Sequence, residues 1–173
     1  MMDNDKLAKV ADLKSRLWSV RSNNASSPEG VERFVAAQEG VWEIVVPELR
    51  AGMKRGHWMW YIFPQIAGLG SSSMSRRYAI RDLAEAREYL AHPVLGSRLR
   101  EAMSMVLSHR GKKTGHEIFS DIDALKLRSC ATLFDIVSPG DVFADILDAF
   151  YYGKPCARTL SILNSISEAE VNV

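Results

Sequence analysis

Residues 121–153 read DIDALKLRSCATLFDIVSPGDVFADILDAFYYG, and this stretch decides the fold class. In both halves, residues expected to face the core recur at the steps of three and four that are typical of an amphipathic helix. The first stripe consists of Leu125, Ser129, Leu133 and Ile136, and the second of Val142, Phe143, Ile146, Leu147 and Phe150. Residues 138–140 form a turn, and Gly153 is a helix stop signal. The stretch therefore predicts two consecutive helices.

The same periodicity continues on the N-terminal side of this pair. It predicts helices at residues 5–21, from near Pro28 onward, at 83–91 and at 94–109, and a last short helix from Pro155. Asp82 followed by Glu85 is typical of a helix N-cap, and Pro47 is expected to kink or interrupt the second helix. Because no hairpin signal occurs, the sequence predicts a single all-α domain of about six or seven helices with an irregular aromatic and Gly-rich central segment.

Length and composition fit one globular domain. The chain has 173 residues, of which 47% are hydrophobic and 25% charged. We expect residues 1–27 to form an N-terminal helical extension and linker, and residues 28–173 to form the globular domain. The longest apolar run, at residues 58–63, is too short to span a bilayer, and no apolar signal-peptide core precedes it. A cytoplasmic location without membrane attachment is therefore expected.

The metal-binding residue types are sparse and poorly spaced. Cys130 and Cys156 are too few for a disulfide framework or a zinc site, and the four histidines lack ligand spacing. We expect no metal and no cofactor. No pair of residues identifies a catalytic mechanism, so the catalytic residues stay unknown.

The central segment, residues 56–74 (GHWMWYIFPQIAGLGSSSM), holds most of the candidate chemistry. Its Gly-Ser loop can bring backbone amides close to an anion, and Arg76 and Arg77 follow directly. A tryptophan beside the loop can stack on a flat ring, while Gln65 needs hydrogen-bond partners if it is buried. These features predict a small anionic, nucleotide-like ligand. The competing interpretation is a core aromatic block beside an ordinary loop.

Two cations interrupt the apolar pattern of the helix after residue 123. Lys126 and Arg128 either reach inward to pair with an acid or an anion, or extend along the core with their charges in water. Arg77 is expected to hold phosphate and Gln65 to contact a polar edge of the ligand. The predicted ligand-binding residues are Trp58, Trp60, Gln65, Gly68, Gly70, Ser72, Arg77, Tyr78, Lys126 and Arg128.

The chain resembles a known family in five segments: RFVAAQ (33–38), LRAGMKRGHWMWYIFPQIAGLG (49–70), RRYAI (76–80), YLAHPVLGSRL (89–99) and LKLRSCATLF (125–134). The family is catalogued as domain of unknown function eighteen-ten and includes uncharacterised bacterial and fungal proteins. The resemblance implies a multihelical all-α domain and supplies no reaction. Some fungal members carry the label calpastatin, but that inhibitor is a largely disordered, repeated chain, whereas this sequence is compact and apolar.

Three kinds of function compete. A small-ligand binding domain, with or without catalysis, rests on the central segment. A non-catalytic interaction or regulatory module would use the amphipathic segment 5–21 to bind a partner or a second copy. Nucleic-acid binding ranks last, because 22 Lys and Arg against 21 Asp and Glu give a net charge of only +1. Its basic residues would be Lys54, Arg55, Arg76, Arg77, Lys112 and Lys113.

Overall fold

The computed structural model describes residues 30–171 and, before them, only Asp12. The described residues form an all-α domain of ten helices without a β-strand, which confirms the predicted fold class. The number exceeds six or seven because three helices have only four or five residues, too short for periodicity to reveal. The predicted helix at 5–21 and the linker after it lie outside the described residues, apart from Asp12.

The helices follow one another with short connections. They are α1 (Glu32–Gln38), α2 (Trp42–Ala51), α3 (Met59–Ile62), α4 (Ser73–Arg77), α5 (Leu83–Ala91), α6 (Leu95–Leu107), α7 (Gly115–Phe119), α8 (Asp121–Val137), α9 (Val142–Tyr151) and α10 (Ala157–Val171).

Helix α8 is the central element. It packs against α5, α7, α9 and α10, and every residue from 129 to 137 is buried. The expected stripe is wrong at one position, because Leu125 is 63% exposed. Only one face of the first two turns meets the core, through Ala124 and Leu127. Beyond them the helix is surrounded on all sides, so no single stripe describes it.

The helix ends follow local chemistry where that chemistry is strong. The Asp82 carboxylate accepts a hydrogen bond from the Glu85 backbone N–H at 2.8 Å, which caps α5 as predicted. Helix α5 ends at Ala91, directly before His92 and Pro93. Asp141 likewise accepts from the Val142 N–H at the start of α9. Both caps join residues at most three positions apart, so the start of each helix is set by local sequence.

The break in the first helical region lies elsewhere than expected. The chain leaves the helix at residues 39–41, where Gly40 adopts a φ of 72°, and resumes as α2. Pro47 lies inside α2 without ending it, so of the two predicted outcomes, a kink or an interruption, the interruption is wrong. Pro47 cannot donate to the Glu43 carbonyl, but both residues face solvent, where water can hydrate that carbonyl.

Candidate ligand-binding cavity

Residues 67–79 form a loop that is closed at its base. The Ala67 N–H donates to the Ile80 carbonyl at 2.8 Å, and the Ile80 N–H donates to the Gln65 carbonyl at 2.7 Å. These bonds form an isolated parallel bridge between Ile66 and Ile80, whose side chains are buried. A compact loop whose ends meet in this way is an Ω-loop, a type of segment that frequently carries function.

The loop and α3, which carries Trp60, border a cavity of about 190 Å³ that is partly open to solvent. Two glycines shape its rim. Gly68 has a φ of 98°, which other residues rarely adopt, and a Cβ on Gly70 would lie 2.5 Å from Ser75 Cβ. The cavity is lined by Trp60, Gln65, Ile66, Ala67, Gly68, Leu69, Gly70, Ser75, Arg76, Tyr78 and Ala79.

Two polar side chains of the lining have no protein partner. Within residues 30–171, neither the Arg76 guanidinium nor the Gln65 carboxamide makes a hydrogen bond or an ion pair. Some other guanidinium groups of the domain are engaged, as in the pairs of Arg81 with Glu85 at 3.1 Å and Arg100 with Asp141 at 2.8 Å. The exposed Arg50 and Arg158 resemble Arg76 in having no such partner among the described residues. Beside the cavity, the exposed Arg76 guanidinium and the half-buried Gln65 carboxamide are therefore open to solvent.

The aromatic part of the lining is held from outside the cavity. The Tyr78 ring packs edge-on against Tyr61 with centroids 5.2 Å apart. On Trp60 the Lys126 ammonium lies 4.8 Å from the ring centroid, a distance suited to a cation–π contact. Lys126 also donates to Asp123 at 3.2 Å. Both aromatic side chains are thus positioned before any ligand arrives.

Asp123 pairs with two lysines, Lys54 and Lys126, that lie against the rings of Trp58 and Trp60. Its second oxygen lies 2.8 Å from the Lys54 ammonium, which in turn lies 5.0 Å from the Trp58 ring centroid. Lys54 and Asp123 come from segments far apart in the chain. This group connects the base of the cavity to the N-terminal end of α8.

A buried ion pair holds the C-terminal end of the loop, at residues 77–79. Arg33 donates to the Arg77 carbonyl at 2.9 Å and to the Ala79 carbonyl at 2.7 Å, and it pairs with Glu85 at 2.6 Å. Burial raises the pKa of the Glu85 carboxyl, but the hydrogen bonds and charge of Arg33, with those of Arg81, outweigh burial and bring the pKa below 4.5. Glu85 is therefore ionised at neutral pH.

Sequence reasoning missed this pair and a second polar anchor. The Gln38 amide donates to the Tyr61 carbonyl at 2.8 Å and to the Tyr89 hydroxyl at 3.1 Å, which ties α1 to α3. Arg33 and Gln38 are the first and last residues of RFVAAQ, one of the segments that carry the resemblance. That coincidence was the available signal.

Half of the predicted ligand-binding residues meet at the cavity. Trp60, Gln65, Gly68, Gly70 and Tyr78 all line it. Arg76, which the prediction did not select, takes the place expected for Arg77. Arg77 is exposed outside the lining, and its guanidinium lies 5.7 Å from the Tyr78 ring centroid.

The remaining predicted residues lie elsewhere. Trp58 is buried in the core and donates from Nε1 to Glu48 at 2.9 Å. Ser72 caps α4 by accepting from the Ser75 N–H. Lys126 reaches the cavity only through Trp60. Arg128 donates to the Lys154 carbonyl at 2.8 Å and lies over the Tyr151 ring.

The described part of the chain shows neither a metal-binding cluster nor a membrane-spanning helix. Residues 30–171 contain no cluster of three or more His, Cys, Asp or Glu side chains arranged to hold a metal ion. None of the helices found there combines the length and the apolar character that a bilayer span requires.

Comparisons with known proteins give a family but no activity. No curated protein matches the chain. A crystal structure of the conserved hypothetical protein Rv1873 from Mycobacterium tuberculosis is similar, with 45% sequence identity and a TM-score of 0.77. The match covers 80% of this chain and 99% of that chain. The family model described as "Protein of unknown function (DUF1810)" matches residues 28–163. The chain therefore belongs to the DUF1810 family.

Proposed function

We propose that the protein binds a small anionic ligand with a flat ring in the cavity of loop 67–79. The observation that carries the proposal is that Arg76 and Gln65 both line one cavity while, among the described residues, neither side chain has a hydrogen-bond or ion-pair partner. Polar groups at a cavity wall that have no protein partner are available to a ligand.

In this proposal each part of the lining has a role. Arg76 binds the anionic group of the ligand, Gln65 contacts a polar edge, and Trp60 and Tyr78 provide aromatic surface for the ring. Lys126 acts through Trp60, by holding the indole from outside the cavity. Since no catalytic group is assigned, the proposal is one of binding. The cytoplasmic location expected from the sequence belongs to the same proposal.

Adjacent arginines provide a matched test. We would measure the melting temperature of the wild type, Arg76→Ala and Arg77→Ala with AMP, ribose 5-phosphate, nicotinate and benzoate. A ligand at about one hundred times its dissociation constant stabilises the fold by roughly 2.7 kcal/mol. We expect at least one compound to stabilise the wild type and Arg77→Ala but not Arg76→Ala. Stabilisation that survives in Arg76→Ala, or is absent with every compound, would contradict the proposal.

The alternative proposal is a non-catalytic interaction module. An exposed apolar pair on α8 favours it, since Ile122 is 68% and Leu125 63% exposed, and the two are one helical turn apart. Replacing both residues by serine should leave the fold intact and abolish any self-association seen by light scattering. A wild type that remains monomeric at every concentration would count against a second copy as the partner.

A further inference from the structure

We infer that the ligand is a single six-membered aromatic ring carrying one carboxylate, and that a complete nucleotide is not the ligand. The inference rests on the proposed function and specifies its ligand class. Three properties of the cavity support it: its volume, the nature of its walls and the number of charges that face it.

The volume suits one ring. The cavity measures about 190 Å³. An apolar cavity of about 150 Å³ holds a benzene molecule, whereas pockets for drug-sized ligands span about 300–1,000 Å³. One ring with one small substituent therefore fills the space. A purine nucleotide would leave its sugar and phosphate outside the loop.

The walls suit a flat apolar body. Trp60 and Tyr78 present aromatic surface, and Ile66, Ala67 and Leu69 supply aliphatic surface. An aromatic ring gains from offset or edge-on contacts with such side chains. A bare sugar phosphate would leave this aromatic and aliphatic surface unused, because its hydroxyl groups can bond only to the polar part of the lining, such as Gln65 and Ser75.

The charge suits a monoanion. Among the described residues, Arg76 is the one Lys or Arg in the cavity lining. Arg77, Lys126 and Arg128 lie outside it. A guanidinium binds a carboxylate through two parallel hydrogen bonds, which neutralises the single charge. A phosphate dianion would keep part of its charge uncompensated. The Gln65 carboxamide remains for a ring nitrogen or a hydroxyl group.

Two isosteric pairs, each an acid and its amide, test the charge, and AMP with inorganic phosphate tests the size. We would determine dissociation constants by calorimetry for benzoate and benzamide, for nicotinate and nicotinamide, and for AMP and inorganic phosphate. We expect saturable binding of at least one carboxylate, with its amide at least tenfold weaker. Arg76→Lys keeps the charge but loses the two-pronged donor, so it should raise the dissociation constant of the carboxylate measurably above that of the wild type. Arg77→Ala should leave that constant unchanged.

The other outcomes separate this inference from the proposed function. Binding of AMP that depends on Arg76, without carboxylate binding, would overturn the carboxylate assignment and leave the proposed function standing. Equally tight binding of inorganic phosphate would overturn both, because phosphate has no ring. Equal affinity for a carboxylate and its amide would overturn the role of charge. No binding of any compound by a protein that remains folded, as its melting transition shows, would overturn both.

Discussion

Arg33 binds the loop of residues 67–79 and Arg76 belongs to it, and the two arginines differ in what surrounds their guanidinium groups. Arg33 is nearly buried, pairs with Glu85, and donates to two carbonyls of the loop. Arg76 is exposed at the cavity and has no partner among the described residues. A guanidinium whose donors are used by the fold supports structure, whereas one whose donors are unused is available for binding. The predictions below test that contrast.

The largest effect should come from Arg33→Met. Removing the cation leaves the Glu85 carboxylate buried without its main partner, which costs about 3–5 kcal/mol for a buried pair. Urea unfolding at pH 7 measures this loss. The partly exposed pair of Arg100 and Asp141 is the control, because Arg100→Met, which leaves the Asp141 cap in place, should cost only about 0.2–1 kcal/mol. Equal costs for the two variants would contradict a structural role specific to Arg33.

The pH dependence of the unfolding free energy should show that the stabilisation by the Arg33–Glu85 pair requires an ionised Glu85. Its folded pKa lies below the ordinary value of 4.5, so its contribution is complete above that pH and is lost as the pH falls through the folded value. The difference in unfolding free energy between wild type and Glu85→Gln should therefore shrink on acidification below about pH 4.5. A difference that is constant from pH 7 to pH 3 would exclude the ionised pair as its source.

An intermediate effect is expected from Gly70→Ala. The new Cβ would meet Ser75 Cβ and Oγ at 2.5 Å, so the loop must shift. Overpacking of this kind costs about 1–3 kcal/mol. Because Gly70 and Ser75 both line the cavity, ligand affinity should fall as well. Gly115→Ala is a useful control, since neither glycine has a positive φ and the nearest atom to a Cβ on Gly115 would lie 3.5 Å away, an ordinary contact.

The smallest effect on stability should come from Lys126→Met. It removes a cation–π contact with Trp60, worth about 0.5–1 kcal/mol, while Lys54 continues to pair with Asp123. The indole N–H resonance of Trp60 should move in the NMR spectrum. That of Trp42, which lies under Arg98, should stay in place. Equal shifts of both resonances would indicate a general rearrangement.

The fold class was predictable from sequence because its signals are local. The Asp82 cap and the amphipathic pattern of α9 act within a few residues. The Arg33–Glu85 pair joins residues 52 positions apart, and no local pattern encodes such a contact. The same limit explains Leu125, whose exposure depends on which neighbours surround each turn of α8.

Within the candidate site, sequence selected the right segment but could not choose between neighbouring residues. Trp58 and Trp60 differ because Glu48 accepts a hydrogen bond from the first and Lys126 lies against the second. Arg76 and Arg77 are consecutive in a helix of five residues, where one step rotates a side chain by about 100°. Tertiary packing decides which of each pair faces the cavity.

The most direct test is a chemical-shift titration of ¹⁵N-labelled protein with nicotinate, recorded for the wild type and for Arg76→Ala. We expect saturable shifts confined to residues 60 and 65–80 in the wild type, and their loss in a variant that remains folded. Shifts centred on another part of the domain, or equal shifts in Arg76→Ala, would contradict the assignment of the loop cavity as the binding site.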